Sequence, residues 1–266
     1  MFDTIGICGA GNMGAAIAKG LVRAKALAPD HLYIYNIHRE KAAKLAQEIG
    51  ASVADTPQEL AEKSQALILA VKPNVIASAL EEVREFLKPQ QVLISIAAGV
   101  SLEKLAFYTG PENKIVRVMP NTPALVGEGM ASVSPNVNVT EGETQDVVDI
   151  FASFGKVVVT DEKLIDAVCG LSGSGPAYIY MFIEALADGA VLEGMPRQMA
   201  YTFAAQTVLG AAKMVLETGE HPGKLKDDVC SPGGTTIEAV KVLEEKGLRQ
   251  AAIAAVVASA EKNKNM

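Results

Sequence analysis

The stretch Gly9-Ala10-Gly11-Asn12-Met13-Gly14 constrains the fold more than any other part of this sequence. It follows a short apolar run in TIGICG and opens onto Met13, Ile17 and Leu21 at four-residue spacing, with Lys19 and Arg23 off that face. Apolar strand, glycine turn and amphipathic helix, in that order, form the context in which G-x-G-x-x-G signals a dinucleotide site. Gly9 permits a tight turn, Gly11 lets the backbone approach a pyrophosphate, and Gly14 lets the helix pack closely on the strand.

The alternation continues. LYIYN reads as a second strand, and a helix follows from about Glu40 to Gly50. Thr56-Pro57-Gln58-Glu59 is a capping box with proline at the first helical position. ALILAV and QVLISIA are continuous apolar runs, the mark of strands buried on both faces, and residues 74–87 between them are helical. Ser101 caps a short helix, KIVRVM, GMASVS and KVVVT are further strands, and 141–154 is another helix. Strands alternating with helices imply a parallel, doubly wound α/β sheet of the Rossmann kind.

Near Asp161 the pattern changes to helix alone. Ile179, Phe182, Leu186 and Ala190 keep helical spacing, but Tyr178, Tyr180, Met181 and Ile183 fill the other sides, and 197–217 and 248–260 are similar. Helices apolar nearly all round must be buried. A hundred or so such residues do not bury that many faces alone, so a second subunit is expected. The chain therefore reads as a dinucleotide-binding domain over 1–160 and an all-α domain over 161–266, with EKNKNM a frayed tail.

Bulk properties narrow the function. The 266 residues are 49% hydrophobic and 21% charged, with net charge −7, which argues against nucleic acid or an anionic membrane as partner. Cys8, Cys169 and Cys230 are few, odd in number and far apart, so they read as reduced thiols of a cytoplasmic protein, in no metal-like pattern. No secretory signal and no membrane-length apolar run is evident. Three histidines leave little material for histidine acid–base chemistry or a zinc site.

About 20 residues past the glycines, NAD sites carry an acid for the ribose diol. Here the second strand ends in Asn36, then His38 and Arg39. Arg39 suits a 2′-phosphate and Asn36 can donate hydrogen bonds to it, which favours NADPH, with NADH an alternative that Glu40 keeps open. Ala70, Val71, Lys72 and Pro73, and Ala97, Ala98 and Gly99, fall at strand C-termini, where small residues let a cofactor pass. Lys72 is either a surface lysine or a source of positive field.

In DDVCSPGGTTIEAVKVLEEKG, Pro232, Gly233 and Gly234 form a turn ahead of a helix. Thr235 reads as its N-cap, with Glu238 completing a capping box. A glycine-rich turn feeding a helix N-terminus is equally an anion site.

Taken with GICGAGNMG, LAVKP, SIAAGVS, RVMPNTPALVGEG and IDAVCGLSGSGPAY, this last stretch resembles the pyrroline-5-carboxylate reductase family over essentially the whole chain. The resemblance implies an N-terminal Rossmann domain and a helical domain that interlocks in a homodimer, in some members five dimers forming a decamer. It implies NADPH-dependent reduction of 1-pyrroline-5-carboxylate to L-proline, the last step of proline biosynthesis. Ser231, Gly234, Thr235 and Thr236 would hold the substrate carboxylate, with the Thr236 hydroxyl near the imine nitrogen as proton relay or orienting group, and Asn121 and Ser174 near the nicotinamide or substrate. Cys230 stands where many relatives have Ser or Thr. A 3-hydroxyacid dehydrogenase would need a base, and LSGSGPAYIYMF offers no lysine for it. A dinucleotide-sensing dimer would not need a second anion cradle.

Overall fold

The computed structural model describes residues 2–265. They divide into two compact units, one running to Ser174 and including the segment from Ala258, the other Gly175–Val257.

The first unit is an eight-stranded sheet wrapped by helices. Its elements are β1 (Ile5–Cys8), α1 (Asn12–Arg23), β2 (Leu32–Tyr35), α2 (Arg39–Ile49), β3 (Ser52–Val53), α3 (Pro57–Lys63), β4 (Ala66–Leu69), α4 (Ile76–Val83), β5 (Val92–Ser95) and α5 (Leu102–Thr109). There follow β6 (Lys114–Met119), β7 (Gly129–Pro135), α6 (Glu141–Ala152), β8 (Gly155–Val159) and α7 (Ile165–Val168), then a π turn over Cys169–Gly173. The strand order is β3-β2-β1-β4-β5-β6-β7-β8. Side chains alternate between two cores, as the strand period of two requires. Ile5, Ile7, Ile68 and Ile94 pack against Ile17 and Leu21 of α1 and Phe151 of α6. Leu67, Leu69 and Leu93 pack on the other face against Leu60, Leu80 and Leu105 of α3, α4 and α5.

The sheet departs from the expected all-parallel form at one edge. β7 runs antiparallel to β6, and β8 parallel to β7. Only a 3₁₀ turn, Thr122–Val126, joins β6 to β7, too short for the crossover a parallel pair needs. Arg117, 7% exposed on β6, donates to Glu162 Oε1 at 2.9 Å, which also accepts the Leu102 N–H at 2.7 Å. This pairing leaves the buried guanidinium with a counter-charge.

Two helix starts differ from expectation. Thr56 Oγ1 accepts from the Glu59 N–H at 3.1 Å, but the Glu59 carboxylate turns to the Asp55 N–H at 2.7 Å, so the box is only half formed. A complete reciprocal box caps α6 instead, between Thr140 and Glu143. Burial opposes ionisation of Glu143, but hydrogen bonds from Lys114 and Thr140 outweigh it and hold its carboxyl below the usual range.

The second unit holds α8 (Gly175–Leu192), α9 (Arg197–Thr218), α10 (Pro222–Val229), α11 (Thr235–Glu245) and the start of α12 (Leu248–Lys264). Its buried apolar side chains are the alanines 187, 200 and 204, where α8 and α9 approach closely. Met181, Phe203 and Leu216 are 70%, 60% and 75% exposed in the single chain. No helix among the described residues is long and apolar enough to cross a membrane.

Four residues of the expected frayed tail, 261–264, are instead helix, and Met266 lies outside the described residues. α12 runs to Lys264, and Asn263, 4% exposed, donates from Nδ2 to Asp166 Oδ1 at 2.6 Å. That hydrogen bond anchors a polar segment whose composition alone reads as disordered.

Candidate functional site

β1 and β4 are neighbours, and the sheet grows outward from them in opposite directions. The chain therefore leaves a crevice at their C-terminal ends, where doubly wound sheets bind ligands. The glycine turn lies here. Gly9 takes φ +114°, and a Cβ on it would lie 2.5 Å from the Ala70 carbonyl oxygen. A Cβ on Gly14 would run into the Gly9 carbonyl and come within 3.1 Å of the Ala70 methyl. Both glycines are thus demanded by packing inside the protein. Gly11 differs: its backbone is ordinary extended chain, φ −77° and ψ −175°, and a Cβ there meets nothing within 4 Å. It is the N-cap of α1, and no side chain caps that end. The first-turn N–H groups face open space that a side chain would fill, which suits a bound pyrophosphate.

The crevice has two lobes sharing Gly11, Ala70, Val71 and Lys72. One, of about 340 Å³, is walled by Gly9, Tyr35, Asn36, Ile37, His38 and Lys41 from the ends of β1 and β2 and the first turn of α2, and by Val75 just before α4 and Ala79 and Glu82 on it. The other, of about 490 Å³, is walled by Asn12, Met13, Pro73, Ile96, Ala97, Ala98, Met119 and Pro120. Together they make one crevice of two lobes, with small residues such as Gly11, Ala70, Ala97 and Ala98 along its floor. Gly99, at φ +71°, instead lines a neighbouring hollow with Lys104 and Lys262. Cys8 also faces the first lobe. Burial, and then the charge of Glu82, push its thiol up to about 12, so it is no nucleophile.

The two side chains that sequence position assigns to a 2′-phosphate are engaged elsewhere. Asn36 Oδ1 accepts the Ala10 N–H at 3.0 Å and Nδ2 donates to the His38 carbonyl at 3.1 Å, so this amide braces the glycine turn. Arg39 Nε meets Asp55 Oδ1 at 2.8 Å, and Arg39 is absent from the walls of the lobe. His38 and Lys41 stand on those walls instead. Sequence reasoning passed over Lys41, although its place in the first turn after the second strand was a usable signal.

Asn121 is 8% exposed and its amide is committed, Nδ2 to the Ser172 carbonyl at 3.0 Å and Oδ1 to the Met130 N–H at 2.8 Å. It ties the end of β6 to β7 and to the π turn. The Ser174 hydroxyl lies 2.8 Å from that of Ser259.

In the helical unit, α11 begins one residue earlier than expected. Gly234, not Thr235, is the N-cap, and no side chain caps the helix, so Glu238 completes no box. The Gly234 N–H donates to the Ser231 carbonyl at 3.0 Å, and a Cβ on Gly234 would sit 2.5 Å from Ser231 Oγ. Gly233 holds φ +68°. This tight turn places Thr235 and Thr236 as the first two helical residues. It leaves the first-turn N–H groups without a side-chain acceptor, as an anion cradle requires. Among the described residues no cluster of three or more His, Cys, Asp or Glu is arranged to hold a metal.

Comparison with known proteins covers the segments that carry each of these two features, the crevice and the turn before α11. Residues 4–99 match the family model described as NADP oxidoreductase, coenzyme F420-dependent, and residues 162–266 match that described as pyrroline-5-carboxylate reductase dimerisation. The chain is 52% identical to a pyrroline-5-carboxylate reductase of Escherichia coli over 266 residues, covering 100% of this chain and 99% of that one. It is 44% identical to the enzyme so named from Arabidopsis thaliana, covering 98% and 95%. A crystal structure of a pyrroline carboxylate reductase from Plasmodium falciparum with NADP bound superposes with TM-score 0.90 at 35% identity, covering 98% of this chain and 97% of that one. With a dinucleotide crevice, an uncapped anion turn and full-length similarity of this order, the chain belongs to the pyrroline-5-carboxylate reductase family.

Proposed function

We propose that this protein reduces 1-pyrroline-5-carboxylate to L-proline with NADPH, the final step of proline biosynthesis. The observation that carries this reading is the pairing of the β1/β4 crevice with a second, separate anion cradle at the start of α11. A dinucleotide-binding protein without a carboxylate substrate has no use for the second.

The bound cofactor supplies the hydride for the C=N carbon. The chain's own contribution is binding and orientation. The open N-terminus of α1 at Gly11 receives the pyrophosphate, and Ala97, Ala98 and Pro73 keep the second lobe narrow for the nicotinamide. Ser231, Gly234, Thr235 and Thr236 hold the substrate carboxylate through backbone N–H groups and hydroxyls. Because a cyclic imine is basic enough to arrive protonated, no histidine is needed, and catalysis rests chiefly on positioning. The Thr236 hydroxyl, half-buried, orients the imine nitrogen or passes it a proton. Asn121 acts by fixing the backbone that follows Pro120 of the second lobe, and the Ser174 hydroxyl is paired with that of Ser259.

The protein is a homo-oligomer by its family's dimerisation domain. We propose a dimer through the helical unit, in the cytoplasm, with a decamer of five dimers as a further assembly.

The test is NADPH oxidation with pyrroline-5-carboxylate by wild type and Thr236→Ala. The expected result is turnover that falls by about 10²-fold or more in the variant, the scale of one general acid–base or orienting group. A folded wild type that turns over with neither NADPH nor NADH refutes the function. An unchanged rate in the variant removes Thr236 from the site. A changed pH profile in the variant separates relay from orientation.

A further inference from the structure

The family fixes a dinucleotide cofactor but not which side chain of this chain distinguishes NADPH from NADH. Asn36 has both ends of its amide engaged, with the Ala10 N–H and the His38 carbonyl. Arg39 points to Asp55, on an exposed pair whose side chains are 68% and 62% accessible. Such a pair is weak and does not lock the arginine. What matters is that Arg39 is not on the wall of the purine-sized lobe, and that its nearest partner is a carboxylate that repels a phosphate.

Lys41 has neither handicap. It stands on that wall beside His38, and among the described residues no ion pair engages its ammonium. It is the third residue of α2, whose N-cap, His38, offers no side-chain cap to the first turn. An ammonium, an imidazole and uncapped helical N–H groups therefore converge at the end of β2, where a ribose attached to a purine in this lobe would present its 2′ substituent. Glu82 lines the same lobe from α4 and Glu40 sits in the same first turn. Their charges oppose a phosphate, and Lys41 is the lysine on the α2 side of the lobe, with Lys72 at the end of β4.

We propose that Lys41, supported by His38 and the start of α2, is the residue that binds the 2′-phosphate and sets preference for NADPH over NADH. This rests on the reductase reading above and specifies the residue behind its cofactor choice. Charge-assisted hydrogen bonds to a dianion make the lysine worth about tenfold or more in affinity, all of it felt by the phosphorylated cofactor.

The experiment uses the full chain without substrate, so that binding is read apart from turnover. The protein has no tryptophan, so the fluorescence of the reduced nicotinamide reports binding without interference. Wild type, Lys41→Ala, Lys41→Arg and Arg39→Ala are titrated with NADPH and with NADH, and 2′-phospho-AMP is set against AMP as competitor. The expected result is that Lys41→Ala loses about tenfold or more in NADPH affinity and keeps its NADH affinity. Its NADPH binding becomes less salt-sensitive, Lys41→Arg restores the preference, and Arg39→Ala matches wild type. A Lys41→Ala protein that keeps the NADPH-to-NADH ratio, or an Arg39→Ala protein that loses it, overturns the assignment while leaving the reductase intact. Wild type that binds neither cofactor overturns both.

Discussion

Gly11 and Gly14 belong to one motif, yet the structure gives them opposite reasons to be glycine, and paired substitutions separate the two. In Gly14→Ala the new methyl meets the Gly9 carbonyl, which is backbone and cannot rotate aside, and the Ala70 methyl at 3.1 Å. Overpacking of this kind costs about 1–3 kcal/mol, and with backbone as the obstacle the upper end applies. At about 2–4 °C per kcal/mol for a chain of this size, the melting temperature should fall by about 6–12 °C. In Gly11→Ala the methyl meets nothing within 4 Å, and φ −77° suits any residue. Alanine is a poorer N-cap than glycine by up to about 1 kcal/mol, offset by about 0.4–1 kcal/mol from a less flexible unfolded chain, so stability stays near wild type. The methyl does occupy the space over the open helix end. Losing one N–H bond to a pyrophosphate, about 1.5–3 kcal/mol for a charged acceptor, weakens cofactor binding by about tenfold to a hundredfold or more. Differential scanning calorimetry and nicotinamide-fluorescence titration on both variants give the readout. A Gly11→Ala protein that binds NADPH like wild type, or a Gly14→Ala protein that melts like wild type, refutes this division of roles.

Cys8 and the helical unit give two further expectations. Cys8, with its folded pKa near 12 against 9.0 for an ordinary thiol, leaves stability untouched below pH 9 and removes about 1.4 kcal/mol per pH unit as pH rises from 9 towards 12. In denaturant melts the gap between wild type and Cys8→Ala should therefore stay constant below pH 9 and change only on the alkaline side, while iodoacetamide at neutral pH labels the half-buried Cys230 and spares Cys8. For the helical unit, the exposed Met181, Phe203 and Leu216 need a covering subunit, so the melting temperature should rise with protein concentration. A concentration-independent transition by calorimetry would contradict that.

The Rossmann half was legible because its signals are local and redundant. The runs at 66–71 and 91–97 are apolar on both faces because they become β4 and β5, each buried throughout, and Gly50 ends α2 in the left-handed conformation expected of a C-cap glycine. The reversal at β7 was not legible, because strand direction is set by the length and path of the connection, not by the strand's own residues. The fate of the tail was hidden for a related reason. Lys, Asn and Glu in the last turns say nothing of Asp166, which lies 97 positions away in sequence and accepts the hydrogen bond from Asn263.

The site shows the same division at finer grain. Backbone roles could be assigned from residue type: Gly9 and Gly14 of the crevice, and Gly233 and Gly234 before α11, sit where close approach or positive φ requires them. Side-chain roles could not, because a polar group is free for a ligand only when its neighbours leave it so. Thr235 has the composition of an N-cap, but Gly234 takes the extended conformation one residue earlier, held by its bond to Ser231, and the threonine enters the helix. That displacement strengthens the anion-site reading, since a threonine capping its own helix would have consumed one of the N–H groups a carboxylate needs. Arg39 and Lys41 follow the same logic in reverse. The arginine has the better chemistry for a phosphate, but Asp55 lies beside it, and the lysine two residues on inherits the wall of the crevice. On the assignment proposed above, cofactor choice turns on which cation the fold sets on the wall of the crevice at the end of β2, a property of three-dimensional neighbours rather than of the basic residue nearest the motif.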